Sequence, residues 1–539
     1  MADRALGTLI SNEPLPPGLW PAAAGRAERI LYQGLGYDGR PREVTASAFV
    51  PDAAPAVGDR PVISYAHGST GLGDGTAPSV KGFSATEAAH IDGWLRAGFA
   101  VVASDYEGLA TPGPHPYFNG EAVADDLLDA VRALRHLDAT VGGRYAVAGF
   151  SQGGHAALFA ALIATGYAPE LQFLGAIAMA PPISLTQLIA KATEADGQSV
   201  SPLVPVTLTG VSVSHPGFRP RELVTDTGVR LLGEAEELSL LDMLRRTVLL
   251  TNKDAGFTGI TRQPAVAAAL DASDAPVSRL DRPLLLAAGG ADEVVPVEFL
   301  RDFARLLREA GTEVEFREYA EANHAGVLSG ALPDAVVWAR AAFVGAAEAE
   351  AAGASVSAGA AGDGDGTTWA PRRFGLLDAA GDGYVCRADM VAFALRLVQA
   401  LGQAPGSAGA VAVRDGYLAL WDALARASDA DGDGRVSEAE YRAWLGGAQD
   451  AGAVFGEQVR PLARAVIELV DENGDGVLDR GEFLRLLAAC RIPYEEGREL
   501  FGRLDTDGSG TISADEIIAA VRDFMTGADS PGYWLFGRF

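Results

Sequence analysis

Ser151 sits in "GFSQG", Gly149 to Gly153, with the apolar "RYAVA" before it and the helical "HAALFAALIA" after it. A serine on such a strand-to-helix turn takes a strained backbone, and flanking glycines give that turn room. Its hydroxyl is pushed clear of the sheet, beside a helix N-terminus that favours developing negative charge. An ordinary glycine-rich turn could carry the same five letters. The strand before and the helix after distinguish this one, and they make Ser151 a candidate nucleophile.

A serine hydroxyl attacks well only when a base takes its proton and an acid orients that base. In this strand–helix order both partners follow the serine along the chain. Beyond Ser151, His155 lies one turn along the same helix and His215 lies in "SVSHPGF", inside an insertion. His324, in "REYAEANHAGVL" after the strand-like "TEVEFREYA", is therefore the expected base. The acid is expected in "LLLAAGGADEVVPVEF": Asp292 comes first after Gly289-Gly290, and Glu293 is the rival. One helix and one strand separate Asp292 from His324, which brings both loops to the same sheet edge. Oxyanion donors are expected at Gln152, directly after the serine, and at Gly68, where the strand in "YAHGSTG" ends.

A second chemistry is written near the C-terminus. Calcium takes six to eight oxygens, and one twelve-residue loop supplies them from positions 1, 3, 5, 7, 9 and 12, with glycine at 6. "DADGDGRVSEAE" offers Asp429, Asp431, Asp433, the Arg435 carbonyl, Ser437 and Glu440. "DENGDGVLDRGE" offers Asp471, Asn473, Asp475, the Val477 carbonyl, Asp479 and Glu482. "DTDGSGTISADE" offers Asp505, Asp507, Ser509, the Thr511 carbonyl, Ser513 and Glu516. In "DAAGDGYVCRAD" only Asp378, Asp382, the Tyr384 carbonyl and Asp389 fit, because Ala380 has no ligand atom. Its shorter Asp389 at position 12 points to Mg²⁺ or weak Ca²⁺. Solvated acidic turns are the plain alternative, and three full matches weigh against it. Position 8 is apolar each time (Val385, Val436, Leu478, Ile512), as expected if the loops pair through short ribbons.

The elements that must position these residues fall into two patterns. Strand-length apolar runs ("PVISYAHG", "GFAVVASDY", "RYAVAGF", "FLGAIAMA", "RPLLLAAGG") alternate with helical segments, which implies a mostly parallel sheet covered on both faces. Residues 1–347 are read as this domain. Over about 182–279 the rhythm breaks into a cap-like insertion with one amphipathic helix candidate, "EELSLLDMLRRTVLL". Residues 348–370, small and glycine-rich, read as a flexible linker. Residues 371–539, with helices flanking the four acidic loops and no strand alternation, read as an all-α calcium-binding domain.

Length and composition agree. At 539 residues and 55.8 kDa, two or three domains are expected. A net charge of −28 excludes non-specific binding to nucleic acid, since phosphate would be repelled. Two cysteines, Cys386 and Cys490, cannot make a disulfide framework. The N-terminus lacks an apolar signal core, and no run is read as a membrane span, so the expectation is a cytoplasmic protein without an integral membrane segment.

"SYAHGSTGLGDGTAPS", "ASDYEGLATPGPHPYFNG", "GFSQGGHAALFAAL" and "YAPEL", in this order, resemble the secretory lipase family of α/β-hydrolases, which includes fungal lipase A-type enzymes. The resemblance implies acyl-ester hydrolysis by Ser151, Asp292 and His324, a lipid-like ester as substrate, and a helical cap over the acyl pocket. This sequence departs from the family in showing no secretion signal, and in having Thr76 where members commonly carry cysteine. The C-terminal region resembles four EF-hand proteins of the calerythrin or sarcoplasmic calcium-binding type, through the wide gap between its first two loops and the aspartate in "RADM". Having only Met390 and Met525, it lacks the methionine-rich groove of a promiscuous sensor. A buffer, or a module contacting the cap of its own hydrolase domain, fits better. The alternative for the whole chain is a calcium-binding protein whose hydrolase domain only scaffolds or binds lipid-like ligands.

Overall fold

A computed structural model describes residues 4–52, 60–357, 384–401, 407–431, 433–447, 451–471, 473–489 and 494–525. The chain divides into two compact units, Met1–Gly359 and Ala360–Phe539.

The first unit is built on a nine-stranded sheet ordered β1-β2-β3-β5-β4-β6-β7-β8-β9. β1 (Leu9–Pro14), β2 (Ala24–Leu35) and β3 (Pro41–Pro51) form an antiparallel meander that joins β5 (Ala100–Ser104). From β5 the sheet continues in parallel through β4 (Arg60–Ala66), β6 (Val141–Phe150), β7 (Gln172–Met179), β8 (Leu284–Gly289) and β9 (Val314–Tyr319). The five apolar runs read as strands are β4 to β8. They are apolar along their length because helices cover both faces. On one face, Trp94 and Leu95 of α2 (Ala85–Arg96) and Leu328, Ala331 and Ala335 of α12 (Gly326–Ser357) pack on Ile63, Val101, Ala146, Ile177 and Leu285. Helices α3 (Gly120–Leu137) and α4 (Gln152–Tyr167) pack against each other and the strands. The antiparallel meander is the part of the sheet that the alternation pattern did not single out.

Between β7 and β8 lie α5 (Leu185–Ala192), α6 (Leu203–Ser214), α7 (Asp226–Ala235), α8 (Leu240–Thr247), α9 (Asn252–Ala255) and α10 (Pro264–Asp271). They share a core of their own, including Val204, Leu208, Leu231, Met243, Phe257 and Leu270. Only α8 was expected. The others are short, and α6 is apolar nearly all round, so an amphipathic period cannot reveal it.

Two expectations need correction here. Helix α12 continues to Ser357, into the stretch read as a linker from residue 348, because its Ala/Glu-rich "AAEAEAA" favours helix despite its small size. The segment Gly326–Ala346 is also long and apolar enough to cross a membrane by length and composition, although no run was read that way. Its Val327, Leu328, Ala331, Ala335 and Ala339 are buried in the core of the first unit.

In the second unit, Tyr384–Cys386 pairs with Arg435–Ser437, matching Val385 to Val436, and Leu478–Asp479 pairs with Thr511–Ile512, matching Leu478 to Ile512. These four apolar residues join a core with Phe393, Tyr417, Leu462, Val466, Phe483 and Phe501. Asp378 and Asp382 of the first loop lie outside the described residues.

Candidate active site and calcium loops

Strand β6 ends at Phe150 and α4 begins at Gln152, leaving Ser151 alone on the turn at φ 53° and ψ −119°. That backbone is costly for a residue with a side chain, and it persists only where its surroundings hold it. Here the chain comes very close to itself. A Cβ on Gly149 would lie 1.9 Å from the Gly153 carbonyl oxygen, and one on Gly153 would lie 2.0 Å from that of Ala66. The Ser151 N–H is fixed by donation to the Met179 carbonyl at 2.9 Å.

The loops after β8 and β9 meet this turn. His324 Nε2 lies 2.9 Å from Ser151 Oγ, and its Nδ1 lies 2.8 Å from Asp292 Oδ2. A carboxylate only accepts, so Nδ1 carries the proton and Nε2 faces the serine as an acceptor. Asp292 is held in turn by the N–H groups of Val294 and Val295, at 2.8 and 2.9 Å on Oδ1. Its side chain is fully buried, whereas Glu293 is exposed. The Phe150 ring, centred 4.9 Å from that of His324, flanks the imidazole.

The remaining histidines beyond Ser151 are engaged elsewhere. His155 is buried between Phe118 and Phe159 with Nε2 on the Ser273 carbonyl at 2.8 Å, and burial pushes its pKa down to about 4. His215 bonds the Val211 carbonyl of its own helix.

Of the two amides expected to face an oxyanion, only that of Gln152 is left open. Gln152 opens α4, where a backbone N–H has no intrahelical partner and is available to a ligand. Gly68, in contrast, gives its N–H to the buried Glu87 carboxylate at 2.9 Å, and that corrects its expected role. Glu87 sits in the first turn of α2, where it also bonds Ser84, and a buried amide beside a carboxylate is satisfied at once. The next residues, Ser69 and Thr70, continue the loop, which the cap grips through Leu240 N–H to the Thr70 carbonyl at 2.9 Å. Glu87 had no distinguishing sequence signal, since a helix N3 glutamate usually serves only as a cap.

In the second unit the three full loops repeat one set of bonds. The position-6 N–H of Gly434, Gly476 and Gly510 donates to the position-1 carboxylates of Asp429, Asp471 and Asp505 at 3.0, 2.8 and 3.0 Å. Each of these glycines has positive φ, the turn the loop needs. The position-9 N–H groups of Ser437, Asp479 and Ser513 each hold the position-12 glutamates Glu440, Glu482 and Glu516 at 2.9 Å. Bonds from Ser437 and Ala430 push the Glu440 carboxyl down to about 2. Cys386 N–H holds Asp389 in the same way at 2.7 Å. Carboxylate oxygens of Asp429, Asp431 and Asp433, and of Asp505, Asp507 and Glu516, lie within 4.8 Å of one another. An all-oxygen set at this spacing fits a hard divalent cation.

A sheet with a serine on a strained elbow, an imidazole within reach and a carboxylate behind it defines the α/β-hydrolases. Residues 80–351 match the secretory lipase family, and the chain belongs to that family. Residues 463–487 and 498–521 match the EF hand. Among similar proteins, calerythrin of Saccharopolyspora erythraea is 30% identical over 158 residues, covering 29% of this chain and 89% of its own. Lipase A of Moesziomyces aphidis is 26% identical over 252 residues, covering 43% of this chain and 52% of its own, so the chain spans about half the length of that relative. The structure of Candida antarctica lipase A in its closed state shares the fold, with a TM-score of 0.53 at 20% identity, over 63% of this chain and 83% of the other. By class, the first unit is a secretory-lipase-family α/β-hydrolase fold, with an EF-hand unit on the same chain.

Proposed function

We propose that the chain hydrolyses acyl esters of lipid-like substrates through Ser151, His324 and Asp292. The reading is carried by the contacts of one side chain: His324 reaches Ser151 Oγ with Nε2 and Asp292 with Nδ1, at 2.9 and 2.8 Å. His324 takes the Ser151 proton as Oγ attacks the ester carbonyl. The oxyanion is stabilised by the Gln152 N–H and the positive end of α4, and a second amide comes from the loop at Ser69 and Thr70. His324 then returns the proton to the departing alcohol, and water activated by the same imidazole releases the acid. Asp292 keeps the proton on Nδ1 throughout and stabilises the imidazolium.

The alternative reading, an inert scaffold attached to a calcium buffer, leaves the strain at Ser151 and the buried Asp292 carboxylate without a purpose. Treating the full chain with a fluorophosphonate probe and p-nitrophenyl esters separates the two. Labelling at Ser151 and turnover lost in Ser151→Ala are expected; an unreactive Ser151 would establish the scaffold.

The second unit is proposed to bind calcium at the loops starting at Asp429, Asp471 and Asp505. An ester panel run with calcium and with chelator tests a link between the units, and equal kinetics in both would make them independent.

A further inference from the structure

The segment "ASDYEGLATPGPHPYFNG" is tied to both sides of the proposed reaction centre. On the elbow side, His115 Nε2 lies 2.9 Å from the side-chain Nε2 of Gln152, and both residues are buried. The other ring nitrogen, Nδ1, lies 2.8 Å from the Glu107 carbonyl oxygen. A carbonyl can only accept, so Nδ1 bears the hydrogen. Nε2 is then bare and accepts from the Gln152 amide, which can only donate through that nitrogen. The two contacts are satisfied together by one form of the ring, the neutral Nδ1-protonated imidazole.

The rest of the segment holds that ring in place. His115 stacks on Tyr106 at 13° between planes, and Tyr106 stacks on His67 with centroids 4.1 Å apart. Tyr106 also donates its hydroxyl to the His67 carbonyl at 2.8 Å, although its backbone sits at a strained φ of 76°. Tyr117, two residues beyond His115, bonds Ser69 through its hydroxyl. A Cβ on Gly108 would lie 2.4 Å from the His115 backbone nitrogen, so the loop closes tightly behind the imidazole. Burial pushes the His115 pKa down to about 4, and the ring stays neutral across the ordinary range.

Resting on the hydrolase reading above, we propose that His115 is a positioning residue for the oxyanion pocket: by holding the Gln152 side chain it fixes the peptide between Ser151 and Gln152, whose N–H points at the developing charge. That peptide follows a residue forced into positive φ. Its orientation therefore depends on what anchors the residue after it, and a misaligned donor weakens transition-state binding more than substrate binding.

The test uses the full-length chain and p-nitrophenyl butyrate. His115→Leu removes the acceptor and is expected to lower kcat roughly tenfold to a hundredfold, with KM within about threefold, because displacement of a preorganised donor acts on the transition state. Gln152→Met keeps the backbone N–H, loses the anchor, and is expected to match it. His115→Gln can present an amide oxygen to Gln152 and is expected to recover most of the rate. The double variant His115→Leu/Gln152→Met is expected to be no slower than either single one, as for two residues acting through one contact. Unchanged kcat in Gln152→Met, or losses that multiply in the double variant, would overturn the inference even if His115→Leu fails to fold. A wild-type chain inert toward esters and fluorophosphonate would overturn the hydrolase reading and this inference with it; an active wild type with insensitive variants would overturn this inference alone.

Discussion

The two units solve the same problem, holding oxygen and nitrogen atoms against their own preferences, at opposite ranges of sequence. In an EF loop every proposed ligand lies within twelve residues, and the turn that gathers them rests on a glycine such as Gly434 at φ 81°. In the hydrolase unit the three side chains come from residues 151, 292 and 324, and the strained turn rests on Ser151 itself at φ 53°. A local loop can be completed by its ligand, since carboxylates crowded together repel until a cation joins them. A distributed site must be completed by packing, and its strain is held by backbone contacts such as those of Gly153. All seven histidines lie in the first unit, so proton chemistry near neutral pH belongs there and cation chemistry to the second.

The largest test of that contrast is Ser151→Ala. Ester turnover should fall by about 10⁴-fold or more, while calcium binding by titration calorimetry stays at its wild-type value. Calcium binding lost with the serine would break the division. Next, chelation should lower the unfolding free energy of the second unit by about 4 kcal/mol for each site held at a thousand times its Kd. Circular dichroism melts with and without chelator should show this shift, with the transition of the first unit unmoved. Gly153→Ala should then cost about 3 kcal/mol, because its methyl group meets backbone that cannot rotate away. Chemical denaturation followed in the first unit measures it, and a neutral result would mean the elbow relaxes as an EF loop does.

The smallest expected effect concerns His155, whose pKa is lowered to about 4 by burial. Between about 6.5 and about 4 the unfolded chain binds the proton and the folded chain does not, so this residue subtracts stability as pH falls through that window. His155→Phe removes the term. Its stability relative to wild type should therefore rise by about 2 kcal/mol from pH 7 to pH 4.5, on top of a pH-independent offset from the lost Ser273 contact. A difference that stays flat with pH would show that the imidazole charges freely when folded.

How much was legible in advance follows from the same difference in range. The EF loops could be read letter by letter, and the pairing of Val385 with Val436 and of Leu478 with Ile512 followed from one apolar position. Asp292 and His324 could be selected because strand order restricts where loops can meet. Gly68 was misjudged because nothing local says that Glu87, on another element, takes its N–H. His115 carries no readable role, since it lies in a loop and its partners are a carbonyl eight residues back and a side-chain amide on α4. The cap helices α5, α7, α9 and α10 escaped because each has ten residues or fewer, too short for a period to stand out, and α6 because it is apolar nearly all round.

By itself the sequence determined the two candidate chemistries, the alternation of β4 to β8 with their helices, and the ligand positions of the three full acidic loops, because each depends on neighbours within one element or one turn. Tertiary structure alone decided which amides remain open beside Ser151, which tautomer His115 holds, and how the cap grips the loop after β4. These depend on competition between donors for acceptors brought from distant parts of the chain, and the winner is fixed only when the core closes around them.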